Sequence, residues 1–287
     1  MTSPGGSTTV IHLNLGGEPL TGWQVSSSDG DSASHASEIE PAAIEAVLFD
    51  KDGTMSHSEP MLEALATARV FHCLEALSEQ GLSEQQRSLL EDLLRRAYGL
   101  GPDGIHPASI TAVASRAHNL IATATALAMV GLGWPEAQAL TEEVFARTDG
   151  LHGQGSRHRP QPTDGLAELL ERLSAAGLRC AVISNDHEEG ILDFLEIHGF
   201  RHHFQAIWSA EHQPCKPHPD AVHGVCRELN IDANRCALIG DANSDLRMAR
   251  QAGVPVILGY RAGWREPPPL DPDVPQLHHW RELTVSH

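Results

Sequence analysis

Positive charge is scarce in this chain of 287 residues. Lysine and arginine number 20 against 38 aspartate and glutamate residues, which gives a formal net charge of −18 at pH 7 with histidine neutral. A surface this acidic repels phosphate backbones and anionic lipid head groups. We therefore expect neither a nucleic-acid-binding protein nor one that works at a membrane. A small anion can still bind where a pocket is locally basic or holds a metal ion.

Cysteines are few, and no long apolar run is present. The five cysteines are widely spaced and contain no C-x-x-C pair, which indicates neither a disulfide framework nor a zinc motif. The longest apolar stretch, 119–134, is shorter than the ~18 residues typical of a membrane span. The N-terminus lacks a basic segment followed by an apolar run, so the sequence does not indicate a signal peptide. The sequence therefore predicts a cytoplasmic protein.

Both ends of the chain differ in composition from its middle. Residues 1–40 are rich in Ser, Thr, Gly and Asp, which predicts a disordered tail. Within this tail, residues 10–15 (VIHLNL) alternate enough to suggest a short strand. Residues 266–287 include three consecutive prolines and are expected to be irregular.

The middle of the chain predicts an α/β protein with a helical insert. Residues 44–49 (IEAVLF) are typical of a buried strand that ends at Asp50. Residues 58–157 carry helical patterns only, whereas strands and helices alternate after Pro160. Alternation of this kind predicts a parallel sheet covered on both faces. We expect a core of residues 41–57 and 158–265, interrupted by an all-helical module over 58–157.

Polar residues follow several of the predicted strands. In an open parallel sheet the ligand crevice lies outside the carboxyl ends of the strands, so these residues should meet at one edge. Taken singly, each has an ordinary structural explanation as a turn residue, a helix cap or a solvated lysine. The positions are Asp50 to Thr54, Ser184 to Asp186, Lys216, Asp241 and Asp245.

Together these residues resemble the four motifs of the haloacid dehalogenase superfamily. Asp50-Lys51-Asp52-Gly53-Thr54 resembles motif I, Ser184 motif II, Lys216 before Pro217 motif III, and Gly240-Asp241 with Asp245 motif IV. They occur in the family's order. The long gap after motif I resembles the subclass with a helical cap, which includes phosphoglycolate phosphatase and β-phosphoglucomutase. The resemblance implies a Rossmann-like three-layer core with an inserted cap.

The chemistry of these residue types points to phosphoryl transfer. Asp50 is the first polar group after the strand, and a carboxylate there can form an aspartyl-phosphate that divides hydrolysis into two easier steps. Asp52 is placed to protonate the leaving alkoxide and then to activate water. A hard cation such as Mg²⁺, bound by oxygen ligands, would neutralise the anionic substrate.

The resemblance assigns the remaining roles. It implies that Asp50, the backbone carbonyl of Asp52 and Asp241 hold Mg²⁺. It gives Asp245 either as a further ligand or as a residue that contacts a ligand. It also implies that Ser184 binds phosphoryl oxygens, with Thr54 and Asn185 as further substrate contacts. Lys216 would stabilise the nucleophile and the developing charge. The residues after motif I depart from the usual DGT-L-x-D-S, because His57 stands where the subclass often has an acid.

We therefore expect a Mg²⁺-dependent phosphatase for a small phosphorylated metabolite, either phosphoglycolate or a sugar phosphate. Asp52 favours phosphoryl transfer over dehalogenation, since a halide leaving group needs no proton. Two alternatives remain open. One is a phosphomutase, which would return the phosphoryl group to a substrate hydroxyl. The other is a catalytically silent relative that acts as a binding protein. The sequence does not indicate an oligomeric state. The stretch 99–104 (GLGPDG) matches a dinucleotide fingerprint but follows a helix, so we expect a loop there.

Overall fold

The computed structural model describes residues 10–22, 42–78, 81, 83–149 and 159–286. Its strands are β1 (His12–Leu15), β2 (Glu18–Pro19), β3 (Ala46–Phe49), β4 (Ser56–His57), β5 (Leu100–Gly101), β6 (Gly104–Ile105), β7 (Gln161–Pro162), β8 (Arg179–Ile183), β9 (Phe204–Trp208), β10 (Cys236–Gly240), β11 (Val256–Tyr260), β12 (Gln276–Leu277) and β13 (Leu283–Ser286). Its helices are α1 (Glu59–Ser78), α2 (Glu84–Tyr98), α3 (Ile110–Val113), α4 (Arg116–Met129), α5 (Trp134–Asp149), α6 (Leu166–Ala175), α7 (Glu188–Ile197), α8 (Pro219–Leu229) and α9 (Asn243–Gln251).

Six parallel strands form the central sheet in the order β12-β11-β10-β3-β8-β9. Side chains of a strand alternate between the two faces, and β3 is buried along its whole length. Val47 and Phe49 pack with α6 and α7 on one face. Ala46 and Leu48 pack with α8 and α9 on the other. Helices on both faces of a parallel sheet confirm the predicted three-layer α/β fold.

Helices α1 to α5 build a separate hydrophobic cluster, and we call residues 59–149 the cap. Helix α2 is capped by Gly99, which has a left-handed backbone (φ 73°) and donates its N–H to the carbonyl oxygens of Arg95 and Arg96. The β5–β6 hairpin follows, so that residues 99–104 lie between helices and not in a βαβ unit. The expected insert had helices only, and this short hairpin is an addition to it. Residues 150–158, where we expected the insert to end, lie outside the described part.

The chain ends differ from the expected tails. Strand β1 pairs with β13 and β2, which joins residues 12–19 to the C-terminal segment. Leu13, Leu277, Trp280 and Leu283 are buried in the core cluster beside α6. Strand β1 agrees with the short strand suggested for residues 10–15, whereas β12 and β13, with two and four residues, were not expected. The rest of the predicted N-terminal tail, residues 1–9 and 23–40, lies outside the described residues.

Trp280 is the main anchor of the C-terminal segment. Its ring stacks on Tyr260, with centroids 4.2 Å apart, and its indole N–H donates to Thr163 Oγ1 at 2.8 Å. Among the described residues, no helix has both the length and the apolar character needed to cross a lipid bilayer.

We expect Trp280→Ala to lower the free energy of unfolding by about 3–5 kcal/mol, because it removes a fully buried indole from a packed core. Urea unfolding followed by circular dichroism measures the loss. Trp134→Ala is the control, since Trp134 is 44% exposed at the start of α5. Equal stabilities for the two variants would contradict a structural role for residues 276–286.

Candidate active site

The predicted site residues meet at the carboxyl ends of neighbouring strands. Asp50 follows β3, Ser184 follows β8 and Asp241 follows β10, and these strands are adjacent in the sheet. Lys216 lies between β9 and α8, and Asp245 lies in the first turn of α9. All five side chains are at least nine-tenths buried. Sheet topology therefore brings together residues that are far apart in sequence.

Lys216 joins two of the carboxylates. Its Nζ lies 2.6 Å from Asp50 Oδ1 and 2.8 Å from Asp245 Oδ1, and it donates to the carbonyl oxygen of Ile183 at 3.2 Å. Burial alone would lower the pKa of Lys216, but the two carboxylates outweigh burial and raise it. The ammonium group therefore stays charged beside Asp50.

Asp50, Asp241 and Asp245 form a cluster of carboxylate oxygens that lie within 4.8 Å of one another. Burial, followed by the charges of Asp50 and Asp245, raises the pKa of Asp241 well above its usual value. Burial also raises the pKa of Asp245 to about 6, although Lys216 opposes it. Three buried oxygen donors that repel one another suit a hard divalent cation such as Mg²⁺.

Asp52 belongs to a second charged group. Its Oδ1 accepts from Lys51 Nζ at 2.6 Å and from the hydroxyl of Ser58, while Lys51 Nζ also lies 3.0 Å from Asp186 Oδ2. Burial would raise the pKa of Asp52, but the charge of Lys51 outweighs it and the net shift is downward. The side chain of Asp52 thus lies outside the cluster of Asp50, Asp241 and Asp245. The resemblance assigned only the backbone carbonyl of Asp52, not its side chain, to Mg²⁺.

The expected phosphate contacts have different surroundings. Ser184 Oγ accepts the backbone N–H of Asp186 at 3.1 Å and lines the cavity described below. Asn185 Nδ2 donates to the carbonyl oxygen of Val113 in the cap at 3.2 Å, which ties this loop to the cap. Thr54 is fully buried, and its hydroxyl donates to Asp241 Oδ1 at 3.0 Å. Its hydroxyl therefore holds a carboxylate, and the expected contact of Thr54 with substrate stays a prediction.

Two contributors were missed in the sequence. Lys51 was noted only as part of motif I, although a lysine between two aspartates at a strand end is a signal of an ion pair. Trp264, which follows β11, donates its indole N–H to Asp241 Oδ2 at 2.5 Å. Nothing in the local pattern of residues around Trp264 points to a carboxylate that lies 23 positions earlier.

A cavity of about 530 Å³ opens over these groups. The core supplies its charged floor, and α1, α3, α4 and α7 supply much of its wall. On the cap side, Arg69 lies 2.9 Å from Asp149 and covers the ring of Phe145 at 3.7 Å. Arg116 binds the other oxygen of Asp149 at 2.6 Å. A cavity bounded by both parts of the chain can enclose a small ligand and exclude water.

Comparison with known proteins agrees with this geometry. The family described as haloacid dehalogenase-like hydrolase matches residues 44–253, well over half of the chain. The chain is 27% identical over 246 residues to N-acetylmuramic acid 6-phosphate phosphatase of Pseudomonas aeruginosa, covering 85% of this chain and 91% of the relative. It is 28% identical over 233 residues to phosphoglycolate phosphatase of Xanthomonas campestris, covering 80% and 90%. A solved structure from Lactobacillus delbrueckii has the same fold (TM-score 0.55, 18% identity, 83% of this chain and 95% of that one).

The raised pKa of Asp241 predicts that metal-free protein is destabilised as pH rises. The folded state holds the proton more tightly than the unfolded state, so this stabilisation is complete below the ordinary value of 3.8 and is lost as pH rises through the raised value. Asp241→Asn carries no such charge. We expect it to exceed the wild type in stability at pH 8 by on the order of 1–2 kcal/mol, with a smaller difference at pH 5.

Urea unfolding in the presence of a chelator at both pH values measures this difference. Asp103→Asn is the control, because that side chain is exposed. Added Mg²⁺ should stabilise the wild type and leave Asp241→Asn almost unchanged. If the stability gain of Asp241→Asn over the wild type is no larger at pH 8 than at pH 5, the electrostatic explanation is contradicted.

Proposed function

Because this chain belongs to the haloacid dehalogenase-like hydrolase family, we propose that it is a phosphatase that hydrolyses a small phosphorylated metabolite through an aspartyl-phosphate on Asp50. One observation carries the proposal: the Asp50 carboxylate, held 2.6 Å from Lys216 Nζ, lines a cavity with Asp241 and Asp245. A carboxylate in this setting can attack phosphorus while the ammonium group limits the repulsion between anions.

In the first step, an oxygen of Asp50 forms a bond to phosphorus as the bond to the ester oxygen breaks. Asp52, in its protonated form, gives its proton to the departing alcohol oxygen, and the pKa lowered by Lys51 makes it a strong acid in this step. In the second step, Asp52 takes a proton from water, and the resulting hydroxide attacks the aspartyl-phosphate, which releases inorganic phosphate and restores Asp50. Ser184 donates its hydroxyl to a phosphoryl oxygen, and Lys216 balances the charge that develops.

We propose that Asp50, Asp241, Asp245 and the carbonyl oxygen of Asp52 hold Mg²⁺. The three carboxylates are the oxygen donors that this cation prefers, and their mutual repulsion favours its binding. When bound, Mg²⁺ supplies positive charge that neutralises the phosphoryl oxygens. Thr54 and Trp264 keep the Asp241 carboxylate in place from its two sides.

We favour a sugar phosphate over phosphoglycolate as the substrate. A cavity of about 530 Å³ is roomy for a two-carbon acid, whereas a hexose phosphate would fill more of it. The substrate named for the Pseudomonas aeruginosa relative is itself a phosphorylated sugar. The cap would contact the sugar through Arg69 and Arg116, which line the cavity. The five free cysteines fit a protein that acts in the reducing cytoplasm.

We expect wild type to release phosphate from sugar phosphates only in the presence of Mg²⁺. Asp50→Asn should lower kcat by at least about 10³-fold, because an amide cannot form the covalent intermediate. A malachite-green assay over a panel of small phosphate esters, with and without chelator, measures both effects. Asp220→Asn serves as the control, since Asp220 is exposed at the start of α8.

Retained activity in Asp50→Asn would exclude Asp50 as the nucleophile. Transfer of phosphoryl groups between sugar hydroxyls, with no free phosphate, would indicate a mutase. No turnover of any ester, with normal Mg²⁺ binding, would instead favour a binding protein.

The ion pair with Lys51 predicts the pH dependence of Asp52. Lys51→Met removes the charge that holds the pKa of Asp52 down, and burial then raises that pKa. In Lys51→Met we expect the limb of the pH profile of kcat/KM that reports the ionisation of Asp52 to move to higher pH. Lys51→Arg should keep this limb near its wild-type position. A pH profile of Lys51→Met that overlays the wild type would show that another group sets this limb.

A further inference from the structure

Three consecutive residues after β11, Gly263, Trp264 and Arg265, connect the metal-binding carboxylates with the cap; we call them the strap. They lie outside the four motifs that carry the proposed chemistry. The carbonyl oxygen of Gly263 accepts from His57 Nδ1 at 3.2 Å, where the chain leaves the core for α1. The backbone N–H of Arg265 donates to Glu59 Oε2 at 2.8 Å. The strap is therefore bonded to the first helix of the cap.

The strap also lies directly on the motif I loop. A methyl group on Gly263 would overlap the carbonyl oxygen and carbonyl carbon of Gly53. Gly53 itself has a positive φ of 80°, a conformation that glycine adopts without strain. Because both residues are glycines, the strap and the motif I loop are in direct backbone contact, and neither segment can move closer to the other. At the other end of the strap, Arg265 Nη1 donates to the carbonyl oxygen of Asp103 in the β5–β6 hairpin at 2.5 Å.

Trp264 is the member of the strap that reaches the site. Its ring is only 6% exposed and belongs to the hydrophobic cluster of the cap, although the residue follows a core strand. Its indole N–H donates to Asp241 Oδ2 at 2.5 Å. The other oxygen of Asp241 accepts from Thr54 Oγ1 at 3.0 Å. Both oxygens of this carboxylate are thus held, one by the core and one by a side chain packed in the cap.

We propose that Trp264 is a positioning residue that orients Asp241 for a divalent cation and makes this orientation depend on the cap being packed against the core. The inference rests on the metal-dependent function proposed above. The donors Asp50, Asp241 and Asp245 fit Mg²⁺, and a hydrogen bond from behind a ligand fixes its direction. Withdrawal of the cap would carry the indole ring with it and free one oxygen of Asp241.

This dependence works in both directions. If the packed cap strengthens cation binding through Trp264, the bound cation must stabilise the packed cap by the same factor. Substrate enclosure and assembly of the cation site would then occur together. A residue of the cap that touches neither the cation nor Asp241 should therefore influence cation affinity.

The first test is Trp264→Phe, which retains an aromatic ring in the cap cluster and removes the N–H donor. Isothermal titration of the full chain with MgCl₂, without substrate, should show affinity lowered about 10-fold, within the range found when a partner of a metal ligand is lost. Trp208→Phe is the matched control. Trp208 is also 6% exposed, and its indole N–H donates at 3.0 Å to the carbonyl oxygen of Pro214. We expect its Mg²⁺ affinity to stay within twofold of the wild type.

The second test addresses the cap. Glu59→Ala removes the acceptor for the Arg265 N–H, whereas Glu59→Gln keeps an oxygen there. We expect Mg²⁺ affinity to fall about threefold in Glu59→Ala and to be unchanged in Glu59→Gln. In the Trp264→Phe background the effect of Glu59→Ala should vanish, because the connection to Asp241 is already broken. If Trp264→Phe does not fold, the two Glu59 variants still test the inference.

The outcomes separate this inference from the proposed function. Wild type that binds no Mg²⁺ at millimolar concentration would overturn the proposed metal dependence, and this inference with it. Wild type that binds Mg²⁺, with Trp264→Phe equal to it, would overturn only the role of Trp264. Lowered affinity in Trp264→Phe, with Glu59→Ala equal to Glu59→Gln, would overturn the dependence on the cap.

Discussion

The ion pair between Lys216 and Asp50 is the interaction on which the site depends. The cavity floor holds five carboxylates, Asp50, Asp52, Asp186, Asp241 and Asp245, against the two ammonium groups of Lys51 and Lys216. A buried charge without a partner is strongly unfavourable, so each lysine lies between two of the carboxylates. Asp241 contacts neither lysine in the ion pairs observed; its oxygens accept from Thr54 and Trp264. The excess of negative charge is concentrated where a divalent cation would reduce it most.

Two adjacent residues after β3 contact different charged groups. Asp50 directly follows the strand and Lys51 begins the turn after it, and their side chains have different ion-pair partners. Asp50 therefore reaches Lys216 and the carboxylates that follow β10. Lys51 reaches Asp52 and the loop after β8. One short segment thus supplies both the proposed nucleophile and the proposed general acid, in different electrostatic surroundings, as a two-step phosphoryl transfer would require.

Much of the fold and the centre of the site could be predicted from the sequence, since both follow from local signals. Buried strands such as β3 and β10 are apolar runs with a polar end, and parallel strands bring those ends to one edge. The pairing of β1 with β13 was not predictable, because it joins strands of four residues from opposite ends of the chain. The hydrogen bond from Thr54 to Asp241 was not predictable either, because the two residues are distant in sequence. Trp264 was missed for the same reason.

The cap contributes to the site mainly by how it is held. Asn185 bonds to Val113, Arg265 to Glu59, and Trp264 joins Asp241 while packed among cap side chains. Each of these contacts joins the core to the cap, and Asn185, Val113 and Asp241 themselves line the cavity. A movement of the cap that breaks these contacts would therefore disturb both the loop after β8 and the carboxylate after β10. Under the proposed function, a site whose parts are completed only with the cap packed on the core favours reaction of an enclosed ester and disfavours attack by bulk water.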